Sequence, residues 1–156
     1  MQLSELLTPS RTLCHVDVVS KKRALELASQ TIAEQLEGLA AEEIFSGLIN
    51  RERLGSTGIG EGVAIPHCRI PGIETAIGLL MTLATPIDFD AIDNRPVDLI
   101  CVLLVPEDAE DGAQAHLQTL AGLAELFNDA SVRESLRSCE DSAHLLAHVQ
   151  TLCNGA

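Results

Sequence analysis

Two apolar runs, Ala76-Ile-Gly-Leu-Leu-Met-Thr-Leu-Ala84 and Asp98-Leu-Ile-Cys-Val-Leu-Leu-Val105, decide the fold class of this chain. Each is of strand length and nearly free of polar residues, a pattern that suits strands whose sheet is covered on both faces. They are expected to be central strands. Further towards the N-terminus, Val63-Ala64-Ile65 reads as a short strand stopped by Pro66, and the β-rich run Thr12 to Val19 as a first strand in which His15 is expected to pack. Between these lie two helical patterns. Lys21 to Leu36 carries Ala24, Leu27, Ala28, Thr31, Ile32 and Gln35 at three-and-four spacing, with Ser20 as N-cap and Gly38 as terminator, and Ala41 to Leu54 repeats the pattern up to Gly55. Towards the C-terminus the runs Ala113 to Phe127, Ala130 to Arg137 and Ser142 to Leu152 read as three more helices. The order strand, two helices, three strands, three helices predicts an α/β fold: a mixed sheet between helix layers, a three-layer α/β/α sandwich.

At 156 residues the chain is expected to form a single domain over 1–156, large enough to need no disulfide or metal staple. Its net charge is −13, and residues 70–132 hold eleven acids against one base, Arg95. Such a surface repels nucleic acid and anionic lipid, and with no Trp or Tyr there is no base-stacking platform. Five cysteines without a Cys-x-x-Cys pair indicate neither a disulfide framework nor a zinc knuckle. No run approaches a membrane span and the N-terminus lacks signal-peptide character, so a cytoplasmic protein without membrane insertion is expected.

The chemistry concentrates in Gly55 to Arg69. Four glycines in eight residues, Gly55 to Gly62, read as a loop whose backbone N–H groups can hold oxyanions. Val63-Ala-Ile-Pro66 then delivers His67 at a strand end. An imidazole with the ordinary histidine pKa of about 6.5 is mostly neutral, and therefore nucleophilic, at neutral pH. Arg51, Arg53 and Arg69 flank the segment. A nucleotide-binding reading of the glycines fails, because they follow a helix, lead into no helix and lack the Gly-Lys-Ser/Thr of a P-loop. Cys68 is expected to be an inert thiol, since neighbours in an extended chain point to opposite faces. His144 and His148, four apart on a helix, could chelate a metal, yet no third ligand lies nearby in sequence and a solvated or half-buried helix face is the expectation. Glu61 and Ser56 are expected to play plain loop roles.

The run Glu52-x6-Ile59-Gly60-x2-Val63-Ala64-Ile65-Pro66-His67-Cys68 resembles the phosphohistidine signature of the IIA components of the bacterial phosphotransferase system (PTS), in the mannitol/fructose/nitrogen group. The likeness continues through Thr85 to Leu99, Leu103 to Pro106 and His116 to Leu120, and is nearest to the nitrogen-regulatory branch. It implies a mannitol-type IIA fold, a mixed sheet between helix layers. It further implies that His67 accepts a phosphoryl group from an HPr-like phosphocarrier protein, that His116 is a second, unphosphorylated histidine beside it, and that Arg51 is the active-site arginine. Phosphohistidine stores its own transfer potential, so no cofactor, metal or nucleotide is required. The partners so implied are the carrier and either a regulatory target or, in a sugar-type fructose or mannitol system, a IIB domain that takes the phosphate onward. A chain without a fused B or C domain favours the regulatory reading. A regulator-binding module that is never phosphorylated is the remaining alternative, disfavoured by the presence of Arg51, His67 and His116 together. One departure from the family pattern is the stretch Glu107 to Ala115, a few residues longer than in close relatives and carrying Glu107, Asp108, Glu110 and Asp111. It is expected to lie near the site and to select a carrier with basic residues around its own histidine.

Overall fold

The computed structural model describes residues 2–107 and 112–154. The elements run α1 (Leu3–Leu6), a 3₁₀ turn (Pro9–Arg11), β1 (Thr12–Val16), α2 (Lys21–Ala33), α3 (Ala41–Arg53), β2 (Gly58–Gly60), β3 (Val63–Ala64), β4 (His67–Ile70), β5 (Ile77–Ile87), β6 (Val97–Pro106), α4 (Gly112–Phe127), α5 (Ala130–Arg137) and α6 (Ser142–Asn154). The two apolar runs are β5 and β6, an antiparallel pair at the centre of a sheet ordered β1-β5-β6-β3-β2, with β4 also paired to β6. The sheet is mixed: β1 is parallel to β5, and β3 and β4 are parallel to β6.

Strand alternation explains why runs without polar residues still sort into two cores. Leu79, Met81 and Leu83 of β5 and Ile100, Val102 and Leu104 of β6 pack with Leu25, Ala28 and Ile32 of α2 and Ile44 and Leu48 of α3. The intervening Leu80, Leu99, Cys101, Leu103 and Val105 pack with Leu3 and Leu6 of α1, Leu123 and Phe127 of α4, Leu136 of α5 and Leu145 and Val149 of α6. The expected layering of helices, sheet and helices follows.

Local departures have local causes. Helix α2 is capped by Ser20, whose hydroxyl accepts from Arg23 N–H at 3.1 Å, but it stops at Ala33 rather than Leu36. Gln35 and Leu36 instead donate to carbonyls three residues back, tightening the exit towards Gly38 at φ +81°. The buried face runs through Ala24, Leu25, Ala28, Ser29 and Ile32, so Leu25 is buried where Leu27 is expected. In β1 the pairing with β5 shifts between Leu13 and Val16, and His15 sits at φ +51° with its side chain exposed, not packed. The strand ends there, three residues early. The glycine segment is not all loop: Gly58–Gly60 forms β2, antiparallel to β3. Its turn into β3 places Gly60, Glu61 and Gly62 all at positive φ, and a Cβ on Gly62 would collide with the Arg137 guanidinium.

The arrangement that matters for the site is the edge of β6. Val63 and Ala64 pair with Leu99 and Ile100, and His67 to Ile70 pair with Leu103 to Pro106 in unbroken register. Pro66 has no N–H to give and interrupts the ladder, while its carbonyl still accepts from Leu103 N–H at 2.9 Å. The chain therefore continues past the proline as a fourth strand, absent from the sequence-based expectation, and His67 opens a strand rather than ending one.

Candidate functional site

Strand β4 separates its side chains by face. Cys68 and Ile70 join the core beneath α2 and α3, so His67 and Arg69 turn away from it. Burial pushes the Cys68 thiol up to about 12, which keeps it protonated at neutral pH.

His67 is half-buried and held at both ring nitrogens. Its Nδ1 lies 2.8 Å from the Ile65 carbonyl oxygen, an atom that only accepts, so the ring proton sits on Nδ1. Nε2 is then the unprotonated nitrogen, and it accepts from Arg51 Nε–H at 3.2 Å. The two contacts agree on one tautomer. Arg51, in the last turn of α3, is tethered by Nη1 donating to the Gly55 carbonyl at 2.9 Å. Thus the sixteen-residue separation of Arg51 and His67 is closed by the end of a helix meeting the start of a strand.

The third expected residue, His116, lies on α4 with its ring edge-on to His67, centroids 5.6 Å apart and planes at 81°. Among the described residues, His116 Nε2 is the buried side-chain polar atom left without a hydrogen-bond partner. Buried polar atoms are otherwise paired, so Nε2 has hydrogen-bonding capacity that no described side chain uses. Both imidazoles titrate below the ordinary histidine value. For His67 burial is the main cause, opposed by the Ile65 carbonyl, aided by Arg51 and opposed again by the Glu52 carboxylate; for His116 burial leads, followed by His67 and Arg69. At neutral pH both rings are neutral, and the positive charge of the site is that of Arg51 and Arg69.

Two adjoining clefts meet at these residues, of about 480 and 390 Å³, sharing Arg51, His67, Leu117 and Leu120. Their rims carry three of the exposed large apolar side chains, Leu54, Leu117 and Ile59. The sequence reading did not single out Leu54, Leu117 or Ile59 as rim residues. Arg69 was noted only as a flanking base, although strand period alone puts it on the face of His67.

The other candidates are engaged by other partners, Ser56 at the wall of the second cleft. His148 Nε2 is 2.7 Å from Ser135 Oγ and His144 Nδ1 accepts from Glu140 N–H at 3.4 Å. Among the described residues no group of three His, Cys, Asp or Glu side chains could hold a metal. Ser56 Oγ donates to the Phe89 carbonyl, and Glu61 pairs with Arg95 at the β2–β3 turn. Of the acidic stretch before His116, Asp108, Glu110 and Asp111 lie outside the described residues.

Residues 5–151 match the family described as phosphoenolpyruvate-dependent sugar phosphotransferase system, EIIA 2. The chain belongs to this family. A nitrogen regulatory protein of Pseudomonas aeruginosa is 44% identical over 155 residues, spanning 99% of both chains, and one of Escherichia coli is 42% identical over 146 residues, 93% of this chain and 87% of that one. The crystal structure of the nitrogen regulatory protein IIA-Ntr from Neisseria meningitidis superposes with a TM-score of 0.83 at 40% identity, covering 94% of this chain and 98% of the other. The IIA mannitol crystal structure from Escherichia coli, at 18% identity and a TM-score of 0.71 over 92% of this chain and 98% of that one, shares the fold. The IIA resemblance read in the sequence, including its nitrogen-regulatory leaning, is what these likenesses show.

Proposed function

We propose that His67 is the phosphoryl acceptor of this IIA protein, taking the group on Nε2 from the phosphohistidine of an HPr-like carrier. The observation that carries the reading is the tautomer: the Ile65 carbonyl holds the proton on Nδ1, leaving a lone pair on Nε2 beside a guanidinium. In the transfer, that lone pair forms the new N–P bond while the carrier's N–P bond breaks and its electron pair returns to the carrier imidazole. No proton needs to leave His67. The cation that forms on its ring is stabilised by the Ile65 carbonyl already bonded to Nδ1–H. Catalysis is then positioning and charge neutralisation. As phosphorus approaches, Arg51 Nε–H turns from Nε2 to the phosphoryl oxygens, and His116, with its proton on Nε2, donates to a phosphoryl oxygen, the partner that atom lacks.

The similarity to nitrogen regulatory proteins supports a regulatory role in which the phosphorylation state of His67 is the signal, read by a target protein in the cytoplasm. Among the described residues no helix is long and apolar enough to cross a membrane. Exposure to phosphorylated carriers of nitrogen and of sugar systems, followed by intact mass, tests the assignment. One phosphoryl increment, faster from the nitrogen carrier, is expected; faster transfer from the sugar carrier, with onward passage to a IIB domain, would replace regulation by transport.

A further inference from the structure

A buried carboxylate that does not touch the His67 ring is joined to its Nδ1 through Thr57 and Ile65. Glu52, beside Arg51 in the last turn of α3, has a side chain only 4% exposed. Its Oε1 accepts from Lys21 Nζ at 2.9 Å and from Thr57 N–H at 3.1 Å, and its Oε2 from the Thr57 hydroxyl at 2.5 Å. A buried carboxylate persists only when its charge is matched and its lone pairs are filled. Lys21 supplies the charge and Thr57 fills the rest. Thr57 in turn accepts from Ile65 N–H at 3.0 Å through its carbonyl, and the Ile65 carbonyl accepts from His67 Nδ1–H at 2.8 Å. A continuous chain of contacts runs Lys21, Glu52, Thr57, Ile65, His67.

At the Thr57 end of this chain of contacts the local sequence adds little constraint of its own. Thr57 lies between Gly55 and Gly58, where the backbone has little preference of its own. Ser56 is held at the Phe89 carbonyl at 2.6 Å, and Lys21 Nζ sits 4.7 Å over the Phe89 ring, so the same anchor secures both ends of the clamp.

The geometry points to Glu52 as the positioning residue that selects the His67 tautomer, acting through Thr57 and the Ile65 carbonyl; this rests on His67 being the phosphoryl acceptor. A neutral histidine side chain in water favours the proton on Nε2, and in that form the nitrogen facing Arg51 has no lone pair with which to attack. By holding Thr57, Glu52 keeps the Ile65 carbonyl where it reverses that preference.

The test reads the tautomer directly, by ¹⁵N chemical shifts and two-bond couplings of the His67 ring at neutral pH, in the full chain and in Glu52→Gln, Thr57→Val and Thr57→Ser, alongside phosphoryl uptake from a phosphorylated HPr-like carrier. The wild type is expected to carry the proton on Nδ1. Glu52→Gln and Thr57→Val are expected to gain the Nε2–H form and to lose about tenfold or more in uptake rate, the scale on which outer hydrogen-bond partners act on the group they orient. Thr57→Ser, which keeps the hydroxyl, is expected to match the wild type in both. A folded Glu52→Gln or Thr57→Val with the wild-type tautomer, whether or not its rate falls, overturns the inference, as does a Thr57→Ser as impaired as Thr57→Val. If Glu52→Gln fails to fold, Thr57→Val decides alone. A wild type that takes up no phosphoryl group overturns the acceptor reading, while the tautomer shift still decides the role of Glu52.

Discussion

Neutral imidazoles at the site make a specific pH signature. The pKa of His67 and that of His116 are both depressed below 6.5 in the folded chain. Between the folded and unfolded values the unfolded chain binds more protons, so stability rises with pH through that window. The contribution is fully present above pH 6.5 and is lost as pH falls below it. Urea unfolding from pH 7.5 to 5 should show this loss, and His67→Ala combined with His116→Ala should flatten it; an unchanged slope would place the titration elsewhere. Uptake of phosphate should for the same reason stay level through pH 6.5 and fall only at lower pH. In the proposed transfer Arg51 and His116 act on the phosphoryl group rather than on the fold. Removal of one charge-stabilising donor typically costs about 10²–10³ in rate. His116→Ala should thus slow uptake on that scale while its thermal midpoint at pH 7.5 stays near the wild type, and normal kinetics would remove His116 from the reaction.

The β2–β3 turn is where an element depends on residues that carry no side chain. Gly62 sits at φ +81° against Arg137, which donates to Asp98 and to the Glu61 carbonyl. Gly62→Ala should destabilise by about 1–3 kcal/mol through strain and displacement of that guanidinium, measured as a lowered urea midpoint with unchanged slope; a neutral result would mean the turn yields freely. The same turn shows what could be read from the sequence. The apolar runs that become β5 and β6, the Ser20 cap and the helices after Gly112 are local signals of period and capping, and they are where the sequence places them. Strands β2 and β4 are not local in that sense. Gly58–Gly60 and His67–Ile70 have no strand pattern of their own and exist because β3 and β6 offer them a ladder edge. The bulge at His15 is likewise set by the Thr82 hydroxyl, which accepts from His15 N–H. At the site, His67 falls in the signature and Arg51 and His116 come only from the wider resemblance; the structure brings the three side chains together, whereas the burial of Glu52 on Lys21 and Thr57 needs three separate segments to meet.

At the scale of the whole molecule, a protein of net charge −13 concentrates three exposed apolar side chains around a histidine flanked by arginines. Leu54 and Leu117 are 85% and 66% exposed and both line the cleft that holds His67 and His116. Transient phosphocarrier encounters need only a small interface with an apolar centre. Leu117→Ser should raise the carrier concentration for half-maximal uptake by about tenfold, on the order of 1–2 kcal/mol, with little change in the maximal rate. A changed maximal rate at constant half-saturation would instead place Leu117 in the chemistry. The acidic field should also steer a basic carrier, so the association rate should fall as salt rises, with a Debye length of about 8 Å at physiological ionic strength. All of this rests on which atom takes the phosphate. The most direct test is ³¹P and ¹⁵N NMR of the protein after incubation with phosphorylated carrier, with His67→Ala in parallel. The account predicts a single N–P bond on Nε2 of His67 and none in the variant. A bond to Nδ1 of His67, or wild-type phosphate uptake by His67→Ala, would contradict it.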